Sequence, residues 1–205
     1  VPQAFLHAGA QAASAALIAL AERARSGRGQ QVDVSAQVVA MNSTQSSSLC
    51  TLVNSPLTVR AGGGIKGGEI NLRFVFPASD GHVSITMVFG AVIGPVTARL
   101  MEAVREAGFC DEATATKDWV DYAMALSDGR ESMEEFERIK EMVAAFTASK
   151  TKAELFALAQ ERRLLLAPIV TTGEIVEAEQ YAARGYWQTD GAGARVPGAW
   201  VHGLG

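Results

Sequence analysis

"ALIALAERARSGRGQQVDVS", residues 16–35, is the stretch whose reading decides the fold. Leu6, Ala10, Ala13, Leu17 and Leu20 run into it at three- and four-residue steps, which predicts one helix with an apolar stripe. Alanine and leucine, the best helix formers, dominate it. Arg23 and Arg25 fall in the last turn, where the helix dipole favours cations, and Gly27 is a helix stop. Beyond the turn, Val32 and Val34 point to one face and predict a short strand over "QQVDVS" (30–35). Ser35 is placed to cap a further helix starting near "AQVVAM" (36–41). Helix, glycine turn, strand and helix make the rhythm of an α/β layer. A lone strand needs neighbours, and nothing upstream supplies them. Both ends of the sequence read as cut, so a piece of a longer protein, or one product of a processed chain, is expected.

Working outward, "AGGGIKGG" (61–68) holds five glycines in eight positions and separates two textures. The Ser/Thr-rich "NSTQSSSLC" (42–50) before it reads as the solvated end of a helix. After it, "EINLRFVFPASDGHVSITM" (69–87) reads as a β-hairpin. Leu72, Phe74 and Phe76 alternate on one arm, Val83, Ile85 and Met87 on the other, and Asp80-Gly81 marks the turn. Asp80 and His82 flank that turn; turn chemistry accounts for the aspartate without a proton-transfer role. From Gly94 to Lys150 the pattern is helical, with Met133, Phe136, Ile139 and Val143 on one face. Glu131, Glu134 and Glu135 read as a solvated, dipole-matched surface rather than a metal site. Thr151 with Glu154 forms a capping-box pattern, "LLLAPIV" (164–170) a short buried strand, and Thr172 the cap of a helix running to Gly185. Tyr186 and Trp187 open a last strand pair across "TDGAGA" (189–194).

Composition narrows the functional classes. The 205 residues are 48% hydrophobic and 20% charged, enough for a substantial core. A formal charge of -4 with no concentrated basic face argues against nucleic acid as the main partner. Cys50 and Cys110 are too few for a disulfide framework and lack metal-ligand spacing. No unbroken apolar run reaches the roughly 18 residues of a membrane span, and no signal-peptide pattern opens the chain. A cytoplasmic protein with no membrane contact is the expectation.

Arg23, Ser26, Gly27, Arg28, Gly29, Gln30, Val32, Asp33 and Ser35 resemble the helix–R–x–x–[ST]–G–[RK]–G–Q–x–V–D–x–S segment of family III CoA-transferases, the CaiB/BaiF group. Gly62–Gly64, "SDGHVSI" (79–85), "TKAEL" (151–155) and "APIVTTGEIVEAEQYAARGYW" (167–187), with Pro168 and the Arg184-Gly185 pair, follow in the family's order. The resemblance implies an α/β fold: the end of a Rossmann-like large domain over 1–60, a glycine-rich linker or loop over 61–70, a small α+β domain over 71–188, and the start of a return segment over 189–205. Family members are roughly twice as long. They resemble one another in pairing two chains as an interlocked dimer, so a second chain is expected here, as a homodimer or a heteromer.

The family's chemistry moves CoA between an acyl-CoA and a carboxylic acid, with the CoA thioester as substrate and no bound cofactor or metal. An aspartate carboxylate attacks the thioester, passes through a mixed anhydride, and becomes an aspartyl-CoA thioester before the acceptor acid collects the CoA. The resemblance assigns Gly62, Gly63 and Gly64 to a loop that closes over the substrate and excludes water. A linker is the alternative use of these glycines; a phosphate cradle is disfavoured because no GK[ST] ending follows. The nucleophile belongs at the head of the first helix, four residues before its early glycine, Gly9, and that position falls on Phe5. Residues 1–10 contain no acid, so the catalytic residue is unassigned. His7 is nearby, but the acid/base histidine of the racemase branch comes from another region. Three readings stay open: a CoA-transferase, an α-methylacyl-CoA racemase, and a non-catalytic structural subunit of a heteromer.

Overall fold

The structure is a computed structural model, and it describes residues 3–42, 50, 52–54, 62–67 and 70–198. The chain divides into two compact units, residues 1–60 with 66–69, and residues 61–65 with 70–205.

In the first unit, helix α1 (Ala4–Ser26) packs with the short helix α2 (Ala36–Asn42). Gly27 ends α1 at φ 73°, and its N–H donates to the Arg23 carbonyl, the left-handed cap that glycine reaches without a Cβ clash. Ser35 Oγ accepts from the Val38 N–H at 3.4 Å, as a helix cap does. The apolar stripe finds no cover among the described residues: α1 has no buried residue, and Phe5, Leu6, Leu17, Ile18 and Leu20 are 56–82% exposed. Two expectations change here. Residues 28–35 lie in no strand, because a strand is defined by its ladder of inter-strand hydrogen bonds and Val32–Ser35 has no neighbour to supply one among the described residues. An 18-residue window of α1 has a mean hydropathy of 1.5, so by length and composition alone this helix is apolar enough to cross a membrane. Counting unbroken runs missed that, since alanines raise the average while each contributes little apolar area. The Ser/Thr-rich stretch at 43–49 lies outside the described residues.

Strand β1 (Gly64–Gly67), whose first two residues belong to the second unit, pairs with β2 (Ile70–Arg73). The predicted hairpin forms from β3 (Val75–Ala78) and β4 (Gly81–Ile85), antiparallel, with Phe76 opposite Val83 and Ala78 opposite Gly81. Strand β5 (Leu166–Ile169) adds to the other edge of β4, also antiparallel. Pro77 and Pro168 occupy the two outer strands, where a missing N–H breaks no central ladder.

Against this sheet lie α6 (Met133–Ala148) and α7 (Lys152–Arg162); α3 (Gly94–Glu106) packs on α6 and on the short α4 (Glu112–Ala115), and α5 (Tyr122–Ser127) stands between α4 and α6 in the chain. Glycine and polar turns at 107–111, 116–121 and 128–132 interrupt what the sequence reads as one helical region. Phe76, Val83 and Ile85 from the sheet meet Leu100, Phe136, Ile139, Val143 and Leu155 in one core, all at 3% exposure or less. Ser132 caps α6, and Thr151 with Glu154 closes the expected capping box on α7.

The next cap falls one residue earlier than read. Thr171, not Thr172, forms a capping box with Glu174 on α8 (Thr172–Glu177). Extended backbone at Ala178 separates it from α9 (Glu179–Ala183), so two short helices replace the single one expected. Strands β6 (Trp187–Thr189) and β7 (Arg195–Pro197) pair across the expected turn.

Asp80 has a structural use. Its Oδ1 accepts from the Lys152 backbone N–H at 2.8 Å, tying the hairpin turn to the start of α7. Lys152 Nζ in turn donates to Glu174, whose carboxyl is held down to about 2 by that hydrogen bond and by the Thr171 N–H. A carboxyl depressed from its usual 4.5 stabilises the fold above that value and loses its contribution as pH falls toward 2. Glu174→Gln keeps the cap geometry without the charge. Wild type is therefore expected to exceed this variant in thermal stability near neutrality, with the gap closing through the acid range. A gap that stays constant from pH 6 to pH 3 (roughly the window of this titration) would contradict the assignment.

Candidate functional site

The second unit holds a polar cavity of about 420 Å³ beside the glycine run. Gly62, Gly63 and Gly64 form one wall, and Arg73, Lys140 and Asn71 contribute to the others. The loop is anchored, since the Gly63 carbonyl accepts from the N–H groups of both Phe74 (2.8 Å) and Val75 (3.2 Å). The glycines answer two demands of backbone. Gly63 has φ 90°, and a Cβ there would stand 3.0 Å from Val75 Cγ2. A Cβ on Gly64 would stand 2.1 Å from the Leu72 carbonyl oxygen, a separation no side chain tolerates. The run therefore lets β1 lie against β2 as well as bringing bare backbone to the cavity.

Two cations define the cavity's chemistry. Lys140 projects from α6 with its side chain 3% exposed, its Nζ donating to the Asn71 carbonyl (2.9 Å) and Glu137 Oε1 (2.6 Å) and lying 4.9 Å from the Phe136 ring centre. Arg73 donates from Nε to the Val75 carbonyl (2.8 Å) and from Nη1 to Glu141 Oε1 (3.1 Å), its guanidinium 4.9 Å above the Phe76 ring. The partner carboxylates are far more open to water than the cations: Glu137 is 55% and Glu141 73% exposed. Sequence reading missed this pair. One signal for it existed: Lys140 stands four residues after Phe136 and next to Ile139, on a face that otherwise reads as core.

The other expected site residues lie elsewhere. His7, exposed on α1, borders a cavity of about 340 Å³ in the first unit with Gln11, Ser14, Val39 and Asn42. Phe5 is 82% exposed, and no acid stands in the first turn of α1. His82 lines the glycine cavity, opposite Pro77 and Ile169 in the sheet register, and no hydrogen bond joins it to Asp80 among the described residues. Glu131 and Glu135 are committed to cations, Glu131 to Lys117 and Glu135 to Arg138. No cluster of three or more His, Cys, Asp or Glu side chains placed to hold a metal occurs among the described residues.

A unit in which two helices flank a glycine turn, followed by an α+β unit bearing a glycine-lined cavity, defines the class. The sequence profile of CoA-transferase family III matches residues 1–202, and the chain belongs to that family. It is 31% identical to the succinyl-CoA:(R)-benzylsuccinate CoA-transferase subunit BbsE of Thauera aromatica, over 96% of this chain and 47% of that protein. Among solved structures it is similar to a CAIB/BAIF family protein from Brucella suis (TM-score 0.69, 19% identity, 100% of this chain and 49% of that one). It is also similar to Rv3272 from Mycobacterium tuberculosis (TM-score 0.63, 16% identity, 98% and 49%). The chain thus spans about half the length of the relatives it matches.

Proposed function

We propose that this chain belongs to an enzyme that transfers CoA between an acyl-CoA and a carboxylic acid, and that it supplies the covering wall of the substrate site, not the nucleophile. The observation that carries this reading is the family match running through the glycine loop, whose Gly62–Gly64 backbone faces a cavity lined by Arg73 and Lys140. Bare backbone approaches a reactive anhydride or thioester closely and leaves little room for the water that would hydrolyse it.

An aspartyl intermediate, formed as the family's chemistry requires, is assigned to another polypeptide segment, because Phe5 stands where the aspartate would fall and residues 1–10 hold no acid. The similarity to a protein named as a subunit favours a partner chain. So does the uncovered apolar face of α1, which a second polypeptide would bury, whether in a homodimer or a heteromer. A cytoplasmic setting belongs to the same proposal.

Incubation of the intact protein with succinyl-CoA, followed by hydroxylamine and peptide mass analysis, tests it. The expected result is a hydroxamate on an aspartate outside these 205 residues and none on any acid within them. A hydroxamate on an acid of this chain would reassign the nucleophile. Exchange of the substrate's α-proton in deuterated water without CoA transfer would replace the reading with the racemase.

A further inference from the structure

We propose that Arg73 and Lys140, with the Gly62–Gly64 wall, form an anion subsite that holds the non-reacting carboxylate of a dicarboxylic acid substrate. This inference rests on the transferase reading and adds the substrate class.

The argument begins with unused donors. Lys140 carries three N–H groups and has two acceptors among the described residues, Asn71 and Glu137, so one remains for the cavity. Arg73 uses Nε and Nη1, leaving Nη2 without an acceptor among the described residues. A charged amine at 3% exposure is costly to bury, and it is oriented here by a backbone carbonyl and an aromatic face rather than by a second buried carboxylate.

The two carboxylates of the cavity, Glu137 and Glu141, lie toward solvent, so the basic groups are the more enclosed ones. The Arg73–Glu141 pair is exposed enough to contribute little on its own, and an incoming carboxylate can take Glu141's place on the guanidinium with two parallel hydrogen bonds. In a CoA-transferase the reacting carboxylate must stay free to attack, so a second carboxylate is the natural handle for orientation. A phosphate of CoA has the same chemistry and is the other source of such an anion.

Binding is read on the intact protein, without turnover, from the amide signals of ¹⁵N-glycine at Gly62–Gly64. Succinate is titrated in one arm and CoA in the other. Succinate shifting these amides assigns the carboxylate; shifts with CoA alone assign the anion site to phosphate and overturn the dicarboxylate. Arg73→Gln is expected to weaken succinate by about tenfold or more. Glu141→Gln, which frees Arg73 from its internal competitor, is expected to tighten it by about two- to threefold. A merely structural ion pair would give no such opposite signs. Unmoved glycine amides in both arms, or an affinity indifferent to Arg73→Gln, overturns the subsite. If succinate binds as expected while no CoA transfer occurs, the subsite stands and the transferase reading falls; turnover that ignores Arg73→Gln has the reverse meaning.

Discussion

Phe136→Ala is expected to lower the stability of the second unit by about 3–5 kcal/mol, the range for removing a large aromatic side chain from a core. Phe136 is 0% exposed. Its ring meets Phe89 edge-on at 5.6 Å and Tyr122 at 6.0 Å, and Lys140 Nζ lies over it at 4.9 Å. Truncation therefore removes apolar contact and also the face against which a buried ammonium rests. For a chain of this size each kcal/mol moves the melting temperature by roughly 2–4 °C, so a fall of about 6–20 °C is expected in thermal denaturation. The Lys140 side chain would lose its aromatic support in the same step, so the glycine cavity should lose succinate affinity well below the new midpoint. A melting temperature within about 2 °C of wild type would mean that this aromatic cluster is not the centre of the core.

Gly64→Ala is expected to have the largest effect on function. The new Cβ would stand 2.1 Å from the Leu72 carbonyl oxygen, and that atom is backbone between paired strands, which cannot turn away as a side chain can. Something must shift by about an ångström, and overpacking of this kind costs about 1–3 kcal/mol. Displacement of the loop breaks the two hydrogen bonds at the Gly63 carbonyl and moves the cavity wall. A misplacement of that size costs about 100-fold in turnover when the wall positions a reacting group. Gly62→Ala is the control: nothing lies within 4 Å of its Cβ, so only the strain of φ 38° is felt, about 1 kcal/mol. Acyl-CoA turnover by the two variants in the intact protein separates them. Equal activities would show that close strand packing at Gly64 is irrelevant to the site.

Much of the local structure was legible in the sequence because its causes are local. The hairpin at 75–85 follows from strict alternation and an Asp-Gly turn, and the Thr151 capping box needs only residues 151–154. The end of α1 is set by Gly27 alone. The errors arose where a neighbour decides. Val32–Ser35 has the composition of a strand but no strand partner among the described residues. The cap on α8 is the exception, a local signal overlooked: Thr171, not Thr172, stands three residues before Glu174, the same capping-box spacing as Thr151 and Glu154. Asp80 is engaged by the Lys152 N–H, 72 residues away in sequence.

By itself the sequence determined the class of protein, most of the element types and the position of the glycine loop, since periodicity, capping and motif spacing act over a few residues along the chain. Only the tertiary structure decided what that loop faces. Arg73 on β2 and Lys140 on α6 reach one cavity because α6 packs on the sheet through Phe136, Ile139 and Val143, carrying a lysine that reads as core to the wall of a polar site. Convergence across 67 residues is set by burial of apolar area, and no local pattern encodes it.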